Sequence, residues 1–353
     1  MAIKNTNFAR VLSKEYVNTI PLYCTGYPEK EFIQNYLKLY DIKKVKIENL
    51  ILDQQDYNII QQMGFDAISL WNYRRGKGGY PLSDQLRVDG WGRIYKEEWY
   101  TWEGIFKDEE IIKQWNHLNF PPKEKLKELE LFLKNVHDNL DIVLSLPGLF
   151  EKTWQSMGFK FFAKSLQSNI NLIVKISNFF LEYVKKLVKI LQSIGVRFFI
   201  VADDVGYKNR EFIPKQIWKR LFFKSYQELI HMIHKENQKV ILHSDGYISD
   251  MIDLFIELGF DAVQSLEPNS GVNIFKLFQK FENKICFIGN LDITLLSFGT
   301  PFQVKSYVKK LIKKAKEFRS PLIISPTQQI NSKVNPKNVK IMIDTVKEFN
   351  SSI

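Results

Sequence analysis

The sequence predicts an α/β protein built as one closed parallel barrel, the TIM (β/α)8 arrangement. Three observations predict it: eight β-rich runs, helical segments between them, and polar residues gathered just beyond the runs. The runs are Thr19–Cys24, Asp66–Trp71, Asp141–Leu146, Arg197–Asp203, Lys239–His243, Asp261–Ser265, Ile285–Gly289 and Pro321–Ser325. Most are unbroken apolar stretches, as parallel strands covered on both faces require. Helical period recurs at 214–237, 249–258, 272–281 and 301–317, with a further segment at 336–349. Pro214 and Pro301 suit a first helical position, where no N–H is needed. Ser249 reads as an N-cap and Gly259 as the stop of the same helix. A doubly wound open sheet is the alternative that the alternation allows.

A chain of 353 residues is within the range of a single barrel domain, and 1–353 is read as one. No internal repeat or low-complexity linker divides it. The alternation breaks from Tyr80 to Trp102, a stretch rich in aromatics, Gly and charge. Within it Asp89-Gly-Trp-Gly resembles a turn between short strands. This predicts an insertion after the second strand, placed to cover the barrel mouth.

Hydrophobic residues make up 45% and charged residues 25%, enough apolar material for a large core, which excludes a disordered chain. The formal net charge of +11 raises the question of an anionic partner. The lysines lie along amphipathic segments such as Lys123-Glu-Lys-Leu-Lys and Lys309-Lys-Leu-Ile-Lys-Lys, so they read as solvated helix faces. No zinc-finger spacing, RNP-like motif or basic tail points to nucleic acid. Cys24 and Cys286 define no disulfide framework. The amino terminus lacks the apolar core of a signal peptide, and no window supplies the roughly 18 apolar residues of a membrane span. The cytoplasm is the expected location.

In a parallel barrel the carboxyl ends of the strands face the site. This selects Asp203 and Asp204 after the fourth strand, His243 and Asp245 at the fifth, Glu267 after the sixth, Asn290 and Asp292 after the seventh, and Gln328 after the eighth. A His and an Asp two positions apart project to one side if the strand runs that far. His243 and Asp245 then share a cation such as zinc, with Glu267 as third ligand. The alternatives are a buried core histidine and an Asp245 that caps the next helix. Asp203 and Asp204 end an apolar strand, where burial raises a carboxyl pKa unless a donor compensates. They read as acid, base or substrate anchor, or as a pair that holds the next loop through backbone donors. Asp292 reads equally as a cap. After the second strand Arg74, Arg75 and Lys77 form a cationic cluster suited to a carboxylate or phosphate, or a solvated loop. No Rossmann fingerprint, phosphate loop or nucleophile elbow is present.

Five segments in order carry a resemblance: Ala202-Asp-Asp-Val-Gly; Val240-Ile-Leu-His-Ser-Asp-Gly; Gly259-Phe-Asp-Ala-Val-Gln-Ser-Leu-Glu-Pro; Gly289-Asn-Leu-Asp with Phe298-Gly-Thr-Pro; and Ser325-Pro followed by Val334-Asn-Pro-Lys-Asn-Val. Together they resemble the uroporphyrinogen decarboxylase superfamily, most closely over 196–349. The resemblance implies a barrel enzyme acting on a small-molecule substrate, and it allows a homodimer. Decarboxylases of the superfamily carry arginines after the first strand and a Gly-His-Gly histidine after the last. Here those places read Pro21-Leu-Tyr-Cys-Thr-Gly-Tyr-Pro and Thr327-Gln-Gln. The methyltransferase branch carries a zinc-binding His-x-Cys after the fifth strand and a Cys after the eighth. This chain keeps His243, has Asp245 in place of the first cysteine and Gln328 near the second.

The implied activity is metal-dependent transfer of a methyl group between a small methylated substrate and a corrinoid protein. His243, Asp245 and Glu267 would be the metal ligands, Glu267 alternatively a base, and Asp204 and Asn290 substrate contacts. The alternative is a metal-free lyase removing carboxyl groups from a porphyrinogen or other anionic substrate. There Asp203 or Asp204 would stabilise a cationic intermediate, with Arg74, Arg75 and Lys77 holding the anion.

Overall fold

The computed structural model describes residues 6–15, 18–41, 57–71, 79–136 and 140–352. Eight strands form one sheet in chain order: β1 (Tyr23–Cys24), β2 (Ala67–Leu70), β3 (Asp141–Pro147), β4 (Phe198–Ala202), β5 (Lys239–Ser244), β6 (Ala262–Ser265), β7 (Cys286–Leu291) and β8 (Leu322–Pro326). Every neighbouring pair is parallel. A bridge from Leu22 to Ile324 joins the first strand to the last, with Ile324 N donating to the Pro21 carbonyl at 2.9 Å. The sheet is thereby all but closed, which decides for the barrel over the open sheet. All eight sequence-predicted strands are present. The first is shorter than its apolar run because side chains claim its early donors. Asn350 Oδ1 accepts from Ile20 N at 2.8 Å, and Asp66 Oδ2 from Leu22 N at 2.7 Å.

Strand residues divide into two apolar layers. Those facing outward pack against the surrounding helices, including Phe199, Val201, Val240, Leu242, Val263 and Phe287. Those facing inward, among them Phe198, Ile200, Ile241, Ile288 and Ile323, form a separate cluster inside the barrel. A short helix, Asn7–Leu12, inserts Phe8, Ala9, Val11 and Leu12 into that inner cluster and closes the amino-terminal end. Phe8 meets Phe198 edge to face at a centroid distance of 5.4 Å. Sequence periodicity missed this helix because six residues are too few to show a period. Phe8→Ala is expected to lower stability by about 3–5 kcal/mol, read by urea denaturation, since the inner cluster cannot collapse around the void.

The later helices fall where they were predicted, at Lys215–Lys235, Ile252–Leu258, Ile274–Phe281, Pro301–Glu317 and Pro336–Ser351. Pro301 takes the first helical position behind a Thr300–Gln303 capping box, whereas Pro214 sits one residue earlier, as the cap itself. Gly259 ends its helix in the left-handed region at φ 94°. Ser249 is not an N-cap: a 3₁₀ turn over Ser249–Met251 moves the start of the helix downstream to Ile252. Among the described residues no helix is long and apolar enough to cross a membrane.

The predicted insertion is a four-stranded antiparallel sheet over Gly79–Pro81, Leu86–Asp89, Arg93–Lys96 and Trp99–Gly104. Its Asp89-Gly-Trp-Gly turn is held by Asp89 Oδ1, which accepts from Trp91 N and Arg93 N at 3.0 Å each. The sheet docks on the helix Leu149–Met157 that leaves β3. Phe106 N donates to the Ser156 carbonyl at 2.9 Å and Arg93 to Gln155 Oε1 at 3.1 Å. It thus walls the mouth on the β3 side.

At the opposite end Asp66 makes stability depend on pH. Burial pushes its carboxyl up from 3.8 to about 6, only partly offset by the Leu22 N–H and by Lys347. The folded state therefore binds this proton more tightly than the unfolded chain, and the contribution falls as pH rises from about 4 to 6. Asp66→Asn should remove up to about 3 kcal/mol of that decline between these pH values, read as the difference between wild-type and variant denaturation midpoints.

Candidate metal centre at the barrel mouth

The carboxyl ends of β4 and β5 build the site. Asp203 N continues the ladder by donating to the His243 carbonyl at 3.0 Å, so Asp204 is the first residue free to turn inward. β5 runs through Ser244, which puts His243 in the strand and Asp245 just past it, on the same side. The loops after β4 and β5 then touch backbone to backbone. A Cβ on Gly206 would lie 2.6 Å from the Asp245 carbonyl oxygen, and Gly246 is left-handed at φ 80°. Only glycines permit this contact, which sets the spacing of Asp204 and Asp245.

Asp204, His243 and Asp245 each offer a ligand atom, and the three atoms lie within 4.8 Å of one another. His243 Nε2 is 3.8 Å from Asp245 Oδ1. Each side chain is oriented by a second contact. The Asp245 N–H donates to Asp204 Oδ1 at 2.9 Å. The Ser265 hydroxyl lies 2.9 Å from Asp245 Oδ1 and 3.1 Å from the Thr327 carbonyl. His243 Nδ1 bonds Gln264 Oε1, and Trp71 stands edge-on to the imidazole with centroids 5.2 Å apart. Burial raises the pKa of Asp204, and the nearby His243 only partly offsets it. Burial works against a charged His243, yet Asp245 and Asp204 outweigh it and hold its pKa above the usual value. Two carboxylates and an imidazole converging in a partly buried pocket suit a divalent cation. Three protein ligands leave a position for substrate or water, as in catalytic zinc sites.

Asp204 thus stands with His243 and Asp245 as a carboxylate of ligand type. Glu267 does not join them. Ser265 and Leu266 are both left-handed, at φ 90° and 59°, and turn the chain as it leaves β6. This carries Glu267 to Gly246 N at 2.8 Å, the Ser270 hydroxyl at 3.0 Å and Gln328 Nε2 at 2.9 Å. Gln328 is thereby placed beside Glu267 at the rim.

Asp203 turns away from the mouth and is buried. It accepts from Glu151 N at 2.6 Å, Phe150 N at 3.2 Å and the Tyr226 hydroxyl. Burial raises its carboxyl to about 7 despite these donors. Its place is at the start of the helix Leu149–Met157, where a carboxylate satisfies otherwise unpaired N–H groups. Asn290 is likewise spent, donating to the Leu266 carbonyl and accepting from the Tyr307 hydroxyl. Asp292 caps the helix Ile293–Phe298 through Thr294 N at 2.7 Å. Arg74, Arg75 and Lys77 lie outside the described residues.

Two neighbours escaped the sequence reading. Gln264 is a polar residue inside the apolar run Ala262–Ser265, directly opposite His243 in register, and that was its available signal. Glu151 leaves none in the sequence. Its charge nevertheless reaches Asp204 and His243, while its carboxylate pairs with Lys152 at 3.3 Å.

The uroporphyrinogen decarboxylase (URO-D) family model matches residues 154–349. Among solved structures, a methyltransferase from Methanosarcina mazei superposes with a TM-score of 0.67 at 14% identity, over 97% of this chain and 97% of that one. A B12-independent methionine synthase from a Shewanella species, solved with selenomethionine, gives 0.53 at 13% identity, over 95% of this chain and 97% of that one. Both likenesses are of fold. A comparison with curated proteins finds no match. With more than half of its 353 residues matched by that model, the chain belongs to the uroporphyrinogen decarboxylase family.

Proposed function

We propose that the protein is a metal-dependent methyltransferase that moves a methyl group between a small methylated substrate and a corrinoid protein. The observation that carries this reading is the convergence of Asp204, His243 and Asp245 on one point at the mouth. A bound zinc ion would supply Lewis acidity, polarising the atom that bears the methyl group. Two carboxylate oxygens and one imidazole make a harder donor set than thiolates, which favours methoxy or methylated-amine donors over thiols. The chain's own residues fix the orientation of that set. Ser265 holds Asp245, the Asp245 N–H holds Asp204, and Trp71 packs one side of His243. The zinc-loaded protein, assayed with methoxy and methylamine donors and a reduced corrinoid protein, should transfer the methyl group. Failure with every such donor would overturn the reading.

A decarboxylase acting on a porphyrinogen or other anionic substrate is the second reading, supported by membership of the uroporphyrinogen decarboxylase family. It requires cations for the substrate carboxylates. Of those near the described mouth, Arg93 is paired with Asp89 at 2.7 Å and Lys152 with Glu151 at 3.3 Å. In this reading Arg74, Arg75 and Lys77 would meet that requirement. Changing Arg74 and Arg75 together to alanine should leave methyl transfer within a few-fold. Loss of porphyrinogen binding in the same variant would instead establish decarboxylation.

A further inference from the structure

We infer that Gln264 is a positioning residue that keeps the His243 proton on Nδ1 and so leaves the Nε2 lone pair facing Asp204 and Asp245. The inference rests on the reading of those three residues as a metal centre. His243 and Gln264 are register partners on β5 and β6, so their side chains leave neighbouring parallel strands on the same side. Gln264 is fully buried, and its amide spans two contacts. Oε1 meets His243 Nδ1, and Nε2 lies 3.0 Å from the Thr25 hydroxyl.

Which end of the amide faces the histidine follows from the hydroxyls beyond it. Thr25 and Ser325 lie 2.9 Å apart, so one of their two hydrogens lies between them. The buried Pro326 carbonyl is 3.3 Å from the Thr25 hydroxyl and 2.8 Å from that of Ser325, and it can only accept. The second hydrogen goes there. With both spent, Thr25 has only lone pairs left for Gln264 and must receive the NH₂ group. The amide oxygen then faces His243, and an oxygen facing a ring nitrogen requires N–H on that nitrogen. In the neutral ring Nε2 is the unprotonated atom, and it is the one 3.8 Å from Asp245 Oδ1. Thr25, Ser325, Gln264 and His243 come from the ends of β1, β8, β6 and β5. The barrel thus sets the tautomer across its own interior.

The test uses the full chain labelled with ¹⁵N-histidine, whose five imidazoles are few enough to assign. Spectra of the metal-free protein, recorded on the alkaline side of the His243 titration, should show a protonated Nδ1 and a bare Nε2. Gln264→Leu should give a mixture of tautomers and weaken zinc binding by roughly 10–100-fold, measured by chelator competition. Gln264→Glu, which keeps an acceptor facing the ring, should preserve the tautomer and hold affinity within a few-fold. A wild-type ring protonated on Nε2 would overturn the inference without any variant. So would a folded Gln264→Leu protein with unchanged tautomer and affinity. A protonated Nδ1 in a protein that binds no zinc would support the ring assignment while overturning the metal reading.

Discussion

His243→Ala is expected to reduce methyl transfer by at least about 10³-fold in kcat/KM. The Lewis-acid contribution of a bound cation is several kcal/mol, and about 4 kcal/mol corresponds to that factor. Asp204→Ala and Asp245→Ala should fall in the same range, because each removes one of three converging ligand atoms. Glu267→Ala should not. Its carboxylate is engaged at the rim with Gly246 N, Ser270 and Gln328, so its loss should change rate by tenfold or less. The four variants compared in one corrinoid-linked assay separate the converging triad from the set chosen by spacing alone, His243, Asp245 and Glu267.

Asp203→Ala should behave in the opposite way, as a stability mutant that keeps its metal. The substitution removes the acceptor of Glu151 N and of the Tyr226 hydroxyl, and leaves Phe150 N only its longer contact to the Tyr226 oxygen at 3.4 Å. Each unsatisfied group costs about 1–3 kcal/mol, and removing a carboxylate that burial already disfavours offsets part of the total. The expected net loss is roughly 3–5 kcal/mol in chemical denaturation. The folded fraction should bind zinc with unchanged stoichiometry. A variant as stable as wild type but inactive would move Asp203 into the chemistry and favour the decarboxylase reading, in which it stabilises a cationic intermediate.

The barrel was legible in the sequence because buried parallel strands write themselves as apolar runs, and all eight runs became strands. Capping was legible where the chemistry is local, as at Thr300-Pro301 and Gly259. It failed at Ser249, where a 3₁₀ turn precedes the helix and no composition signal marks it. At the mouth, strand-end position pointed to Asp204, His243 and Asp245, which the structure brings within reach of one another, but did not say which carboxylate turns in. Asp203 and Asp204 look alike in sequence. The ladder bond from Asp203 N to the His243 carbonyl and the helix donors beside it send one outward and leave the other facing His243. The place of Glu267 at the rim was not legible, because two consecutive left-handed residues, neither a glycine, redirect the chain after β6, and such backbone has no sequence signature. Gln264 was overlooked because its meaning is relational, and only the register of β5 against β6 sets it opposite His243.

The most direct test of the metal centre is elemental analysis of the purified protein beside Asp204→Ala, His243→Ala and Asp245→Ala, after zinc loading and desalting. Near-stoichiometric zinc in the wild type, lost from all three variants and retained in Glu267→Ala, is the predicted result. A folded wild-type protein that retains no metal, or one whose zinc survives loss of His243, would contradict it.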